Sequence, residues 1–270
     1  MVRKIIYISI FTFWLQTSLA IAGTTGSEEL KDTSSQSATE ECFEGFSRAM
    51  FELNYDLDRI IFQPVAKGYR ALPVPIRKGT GNAINNLRSL LTLSNNILQG
   101  EFGRAGNNAA RFGINSTAGI LGIFDPASKL GFEDQGKEDF GQTMGVWGAN
   151  SGCYFVLPII GPTTVRDAAG LVGNFFLDPV YHVTHNSEIH NGLVGNSNYS
   201  EHNYYFYRGT GAVDFRAKNI ESWNSLEENS IDLYASLKSL YLQNRKQKIA
   251  NSTSAVETQD DSDWEEIDTN

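Results

Sequence analysis

The sequence predicts a mostly α-helical domain, and three observations predict it. Apolar residues recur at three- and four-residue steps in one segment after another. Proline and glycine fall where such segments would start or stop. No run alternates apolar and polar residues over a useful strand length. At 270 residues, the chain has room for one sizeable domain or two small ones.

Met1 to Ala22 reads as a signal peptide. Arg3 and Lys4 make its basic end, Ile5 to Leu15 its apolar region, and Ala20-Ile21-Ala22 a small-x-small cleavage site. The mature chain is therefore expected to be exported. Residues 23–42 are rich in Ser, Thr and Glu and read as a disordered linker. Phe43, Phe46, Met50, Leu53, Leu57 and Ile60 then form a helical stripe, which Pro64 is expected to interrupt before a short helix through Tyr69. Leu72-Pro73-Val74-Pro75 turns the chain, with Pro75 suited to a first helical position. From Arg77 to Gln99 the stripe is Ile84, Leu87, Leu90, Leu91, Leu93, Ile97 and Leu98, capped by Gly100. Glu101 to Phe124 is punctuated by Gly103, Gly106, Gly113, Gly119 and Gly122, a texture that suits close packing or a deformable segment.

Asp125-Pro126 restarts a short helix, and Asp139 can cap another that carries Phe140, Met144 and Trp147. Tyr154 to Ile160 is apolar on every side, far short of the roughly 20 residues that span a bilayer. Gly152, Pro158, Gly161 and Pro162 argue against a regular helix or central strand there, so it reads as an apolar hairpin held by its neighbours. The glycines of residues 113–122 offer it a thin surface to lie against. Thr163 or Thr164 can start the next helix, placing Arg166 and Asp167 in its first turn, and its stripe stops at Asp178-Pro179. Val183 to Asn203 reads as a polar loop, and Tyr204 to Ala250 as two helices ending in the basic run around Arg245 to Lys248. The domain is thus expected over residues 43–248, followed by an acidic disordered tail over 249–270.

Charge sits in the tails. The last twenty residues carry seven acids and no base, while residues 43–250 balance 19 acids against 19 bases. A basic nucleic-acid footprint is absent. The two cysteines, Cys42 and Cys153, have no zinc-site spacing, and the sequence leaves open whether they pair. Cys42 lies twenty residues past Ala22, too far downstream to be a lipid-attachment cysteine. All four histidines fall between His182 and His202, with no nucleophile elbow or phosphate loop elsewhere. His182, His185 and Glu188 offer metal donors, but an exposed His-rich loop is more often inert, and no metal or cofactor is assigned.

Several phrases are specific: Glu44-Gly-Phe-Ser-Arg-Ala-Met50 with Asn54, Asn95-Asn96-Ile-Leu-Gln-Gly100, Gly122-Ile-Phe-Asp-Pro-Ala127, Asp139-Phe-Gly-Gln-Thr-Met-Gly145, Leu157-Pro158 with Gly161-Pro162, Arg166-Asp167, and Val213-Asp-Phe-Arg-Ala217. Together they closely resemble the MlaA (VacJ) family of outer-membrane proteins that maintain lipid asymmetry. The resemblance implies a ring-shaped helical protein in the inner leaflet of the outer membrane, beside a trimeric porin. It implies an amphipathic channel that draws misplaced phospholipid from the outer leaflet and passes it to a periplasmic carrier of the Mla type, without catalysis. Arg48, Asn54, Asp58, Gln142, Arg166 and Asp167 are the candidates for a polar channel wall. Tyr154, Phe155, Val156, Leu157, Pro158, Ile159 and Ile160 are the candidate gate. The sequence departs from the family in lacking its lipid-modified cysteine, in having Cys153 where proline is usual, and in its polar 181–203 loop. Two readings of other classes compete: a periplasmic phospholipase or acyltransferase, and a scaffold that merely docks to porins.

Overall fold

The computed structural model describes residues 41–185 and 202–250. Helix α1 (Glu44–Leu57) opens directly after Phe43, which sits in the left-handed region. Pro64 does not interrupt the path. A π-helical turn over Asp58–Phe62 leads straight into α2 (Gln63–Arg70), with Pro64 in its first turn. Proline has no N–H to give residue 60, and the widened turn, closed by Gln63 N–H to Asp58 O, absorbs that missing bond. Helix α3 (Val74–Leu98) follows with Pro75 in its first turn, ends before left-handed Gly100, and packs along α4 (Phe102–Thr117).

Short α5 (Pro126–Lys129) is capped by Asp125, and α6 (Phe140–Val146) by Asp139, whose carboxylate accepts from Gln142 N–H at 3.0 Å. The strands β1 (Tyr154–Leu157) and β2 (Gly161–Thr164) pair antiparallel, from Tyr154 opposite Thr164 to Leu157 opposite Gly161. Four of the seven apolar hairpin residues are therefore regular strand, against the expectation. Pro158 lies in the turn beyond the last pair, and Pro162 lies on a two-stranded sheet, where β2 has an edge that needs no donor. Tyr154 and Val156 face inward, alternating with Phe155 and Leu157. The hairpin packs on α1, while Gly122 and Ile123 press instead against Asn86 and Gly79 of α3. The glycine-rich segment is thus not the surface under the hairpin.

Helix α7 (Val165–Leu177) is capped by Thr164, and α8 (Pro179–His185) continues after it. The last region holds three helices rather than two: α9 (His202–Lys218), α10 (Ile220–Asn229) and α11 (Leu233–Ile249), broken at Asn219 and at the Asp232 cap. The expected loop is helical at both ends, and its middle lies outside the described residues, as do the signal peptide and nearly all of the linker and of the acidic tail, whose first residue, Ile249, ends α11. No helix among the described residues is long and apolar enough to cross a membrane.

Burial runs opposite to a water-soluble core. Among the described residues, sixteen polar or charged side chains are buried against ten apolar ones, and four of the ten are alanines. Of the stripe expected in α3, only Ile84 is buried; its buried companions are Asn86, Thr92, Asn95 and Asn96. In α1 the buried residue is Ser47 while Phe46 and Leu53 are exposed. In α7 Arg166 and Asp167 are buried while Val172 and Phe176 are exposed, the latter at 74%. The periodicity was amphipathic, but the apolar face points outward. Small apolar clusters remain, around Ala66, Ala217 and Ile220, and around Tyr154, Val156 and Tyr234.

Candidate functional site

The interior is organised by Arg245 on α11. Its guanidinium reaches Asp139 with Nη1 at 2.6 Å and Nη2 at 3.0 Å, and Asp167 with Nε at 3.0 Å and Nη2 at 2.7 Å. Arg166 donates twice to Asp167 Oδ1, at 3.0 and 2.9 Å, and Tyr241 donates to Asp167 Oδ2 at 2.5 Å. Two acids and two guanidiniums thus form a neutral, forked network, the arrangement that makes charge-assisted bonds strong. Close contact of α6 and α7 permits it. A Cβ on Gly170 would stand 2.5 Å from Gly141 N, so only glycine lets Asp139 and Asp167 converge on one arginine.

Burial works to raise the Asp139 carboxyl, but the bonds and charge of Arg245, helped by Gln142, outweigh it and hold the group at about 2. Asp167 is held low for the same reasons. Because the folded value of Asp139 lies below the unfolded one, its contribution is present above about pH 4 and disappears as pH falls toward 2. Its side chain is 31% exposed, so the loss should be discounted to roughly 1–2 kcal/mol. Denaturant unfolding at pH 6, 4 and 3 should show this loss, and Asp139→Asn should flatten it. A parallel pH dependence in both proteins would refute the assignment.

A polar seam continues between α3 and α6. Thr143 donates to Asn95 Oδ1 at 2.7 Å, and Gln99 donates to Glu138 and to Thr143, both at 3.1 Å. Burial raises the Glu138 carboxyl. Burial also lowers the Lys137 and Lys248 ammoniums, although 29% of the Lys137 side chain still meets solvent. Asn96 is fully buried with neither amide atom bonded among the described residues.

The six wall candidates fall in four places. Gln142, Arg166 and Asp167 share the Arg245 network or its border, Gln142 bonding Asp139 Oδ2 at 2.9 Å. Asp58, in the π turn, holds Arg216 of α9 in a forked pair at 2.7 and 2.8 Å. Asn54 clasps the hairpin: its amide donates to Leu157 O at 2.8 Å and its oxygen accepts from Ile159 N–H at 2.6 Å. Arg48 lies apart, half-exposed, between Glu44 and Asp232 and over the Tyr234 ring. Arg245 was not among the candidates. It lies 106 and 78 residues from its partners, inside a basic run that reads as an ordinary helix C-terminus.

Among the seven gate candidates, Tyr154 to Leu157 form the held stem and Pro158, Ile159 and Ile160 the exposed tip, Ile159 at 72%. The stem is fixed further by Cys42. Its N–H donates to Tyr154 O at 2.9 Å, and its sulfur is bonded to Cys153. Both cysteines are thereby occupied in each other. The ring nitrogens of His182 and His185 meet the carbonyls of Phe176 and Tyr181. No group of three His, Cys, Asp or Glu side chains fit for a metal occurs among the described residues, and Glu188 lies outside them.

Residues 39–248 match the family model described as MlaA lipoprotein. The chain belongs to the MlaA family. It is 32% identical over 241 residues to the intermembrane phospholipid transport system lipoprotein MlaA of Haemophilus influenzae, covering 87% of this chain and 89% of that one. An uncharacterized protein of Rickettsia prowazekii is 39% identical over 146 residues, 53% of this chain and 58% of its own. The chain therefore spans little more than half the length of some curated relatives that it matches. A solved MlaA-family structure, from work on the structural basis for maintenance of bacterial outer membrane lipid asymmetry, superposes with a TM-score of 0.64 at 27% identity, over 78% of this chain and 99% of that one. The helical fold expected from the family resemblance is thereby established, and so is membership over residues 39–248.

Proposed function

We propose that this chain is a non-enzymatic phospholipid transporter. On this reading it sits in the inner leaflet of the outer membrane on the periplasmic side, beside a trimeric porin. It lets misplaced phospholipid leave the outer leaflet through a polar passage and hands it to a periplasmic carrier. The observation that carries this reading is the inverted burial. Exposed Phe46, Phe102, Leu121, Phe176 and Phe206 suit lipid tails, and the buried asparagines, acids and arginines give a polar interior beside which a head group could pass. A head group crossing a leaflet needs such a lining, because an unpaired charge in hydrocarbon is costly. The relatives' names as transport-system lipoproteins support the same reading. On this account Gln142, Arg166 and Asp167, at 1%, 8% and 7% exposure, brace the wall from behind, with partly exposed Lys137 nearer the passage.

The hairpin is the proposed gate, and its control is local. Its stem is tied by Cys42 and Ser47, whereas its tip hangs on Asn54 alone among the side-chain bonds described. Asn54→Ala removes two bonds, at a cost of about 1–2 kcal/mol, and should leave the protein folded and abundant. It should nevertheless change outer-leaflet phosphatidylethanolamine several-fold, measured with a membrane-impermeant amine reagent on intact cells. An unchanged level would make the hairpin a static anchor. If deleting the whole chain also left that level unchanged, the transport reading would fall. Release of fatty acid from labelled phospholipid by the purified protein would favour a phospholipase instead. Purification free of phospholipid would favour the scaffold.

A further inference from the structure

Three cations from separate elements meet around the peptide that joins Lys137 to Glu138, beside the polar seam. The Glu138 N–H donates to Thr92 Oγ1 at 3.4 Å, and the same hydroxyl donates to Arg88 O at 3.3 Å. Arg88 of α3 therefore lies one helical turn from the point where the Lys137 loop is fastened. On the other side of that loop Arg245 grips Asp139, and Lys248 follows three residues later on the same face of α11. Burial is the main cause that lowers the Lys137 and Lys248 ammoniums, and Arg88 adds to it in both, with Arg111 on Lys137 and with Arg245 on Lys248. Asp134 opposes the first shift, and Asp139 and Glu138 the second. Repulsion of this kind acts between charged atoms, so the nitrogens themselves, and not only the stems, approach one another.

The acids nearby are already engaged. Asp139 and Asp167 are held by Arg245, Glu138 lies 3.6 Å from Arg104, and Asp134 lies 3.3 Å from Lys137. Arg88 is exposed and Lys248 half-buried, and neither has an acid in ion-pair reach among the described residues. Two positive charges therefore stand uncompensated in a group that repels itself, and an anion relieves such a group. Arginine offers a planar fork and lysine a point charge, a pair of donors that suits phosphate. On the transport reading, the phosphate that passes is that of a phospholipid. A zwitterionic head group also brings an ammonium, which this cluster repels. A glycerol head group brings none.

We propose that Arg88, Lys137 and Lys248 form a phosphate station of the passage, and that it makes the chain select phospholipids of net negative charge over zwitterionic ones. Arg88 and Lys248 supply the open donors, and Lys137 adds its charge while keeping Asp134. The proposal rests on the transport reading, since it takes the passing phospholipid as the ligand.

The test titrates the purified full chain, in non-ionic detergent, with dihexanoylphosphatidylglycerol and dihexanoylphosphatidylethanolamine, each below its micelle concentration, and with inorganic phosphate. Calorimetry should show the phosphatidylglycerol bound roughly tenfold more tightly than the phosphatidylethanolamine. Arg88→Gln with Lys248→Gln should abolish that preference, mostly by weakening the phosphatidylglycerol. Neither side chain has a hydrogen-bond or ion-pair partner among the described residues, so the double variant should melt no lower than wild type. Arg88→Gln alone, at an exposed position, should give part of the loss. Lys67→Gln with Lys78→Gln removes the same net charge from exposed positions of α2 and α3 and should keep the preference. Its loss there would reduce the effect to net charge and overturn the station. Equal affinity of wild type for the two phospholipids, or an unaltered preference in the Arg88 and Lys248 variant, overturns the station while leaving the transport reading intact. Failure of either phospholipid to bind wild type would take the transport reading with it. Inorganic phosphate that binds as tightly as the phosphatidylglycerol, and is lost in the same variant, overturns the lipid assignment.

Discussion

Replacing Cys42 and Cys153 together by serine is expected to remove about 4–5 kcal/mol of stability, the entropy of closing a loop of this size. The bond joins residues 111 apart, so more than half of the described chain is looped between them. It also fixes more than a loop. Cys42 N–H bonds Tyr154 O, and beside it Glu41 accepts from Tyr234 and, at 2.5 Å, from Lys238 of α11. One covalent bond therefore registers the start of α1, the hairpin stem and α11. Guanidinium unfolding in detergent should show the lowered midpoint, and adding a reductant to the wild type should reproduce it. A variant within about 1 kcal/mol of wild type would mean that the neighbouring hydrogen bonds hold this register unaided.

Arg245→Met should cost about 3–5 kcal/mol, the usual penalty for leaving a buried charge without its partner. The larger signature is in the sign of the pH response. In wild type Asp139 is held low, so acid removes stability. Without Arg245 burial is left to dominate Asp139, which raises its carboxyl above the unfolded value. A group raised in the folded state gains stability as pH falls, so the variant should become more stable between about pH 7 and 4, where wild type is flat. Asp139→Asn should restore part of the loss in the Arg245→Met background, because the uncompensated charge is then gone. If the single and double variants were equally unstable, with the same pH slope, Arg245 would be acting by packing alone.

What the sequence revealed, and what it hid, divide along physical lines. Local signals were readable. Asp139 and Thr164 are short-range caps, and the Pro75 start and Gly100 stop follow from backbone geometry. The site was readable where its members sit together, as Arg166 and Asp167 do. Arg245 was invisible, because nothing near it distinguishes a buried hub from a helix-terminal base. The pairing of Cys42 with Cys153 was undecidable for the same reason. The stripes of α1, α3 and α7 were correctly periodic, but periodicity gives the angle of an apolar face and not its surroundings. Ile97 and Leu98 would look the same facing a core or facing lipid. The strand in the hairpin is not legible from Pro158 and Pro162, because a proline signals a strand break unless it lies in a turn, as Pro158 does, or on an edge, as Pro162 does.

The outward placement of the large apolar side chains also sets the thermodynamic character of the protein. Most of the heat-capacity change of unfolding comes from apolar surface newly met by water. Here much of that surface already lies outside before unfolding begins, as with Leu121 at 76% and Phe206 at 76% exposure. The heat-capacity increment per residue should therefore fall below that of a water-soluble domain of equal length, and the stability curve should be shallow in temperature. Detergent or lipid that covers the folded surface becomes the steeper variable, shifting the equilibrium by mass action as a ligand does.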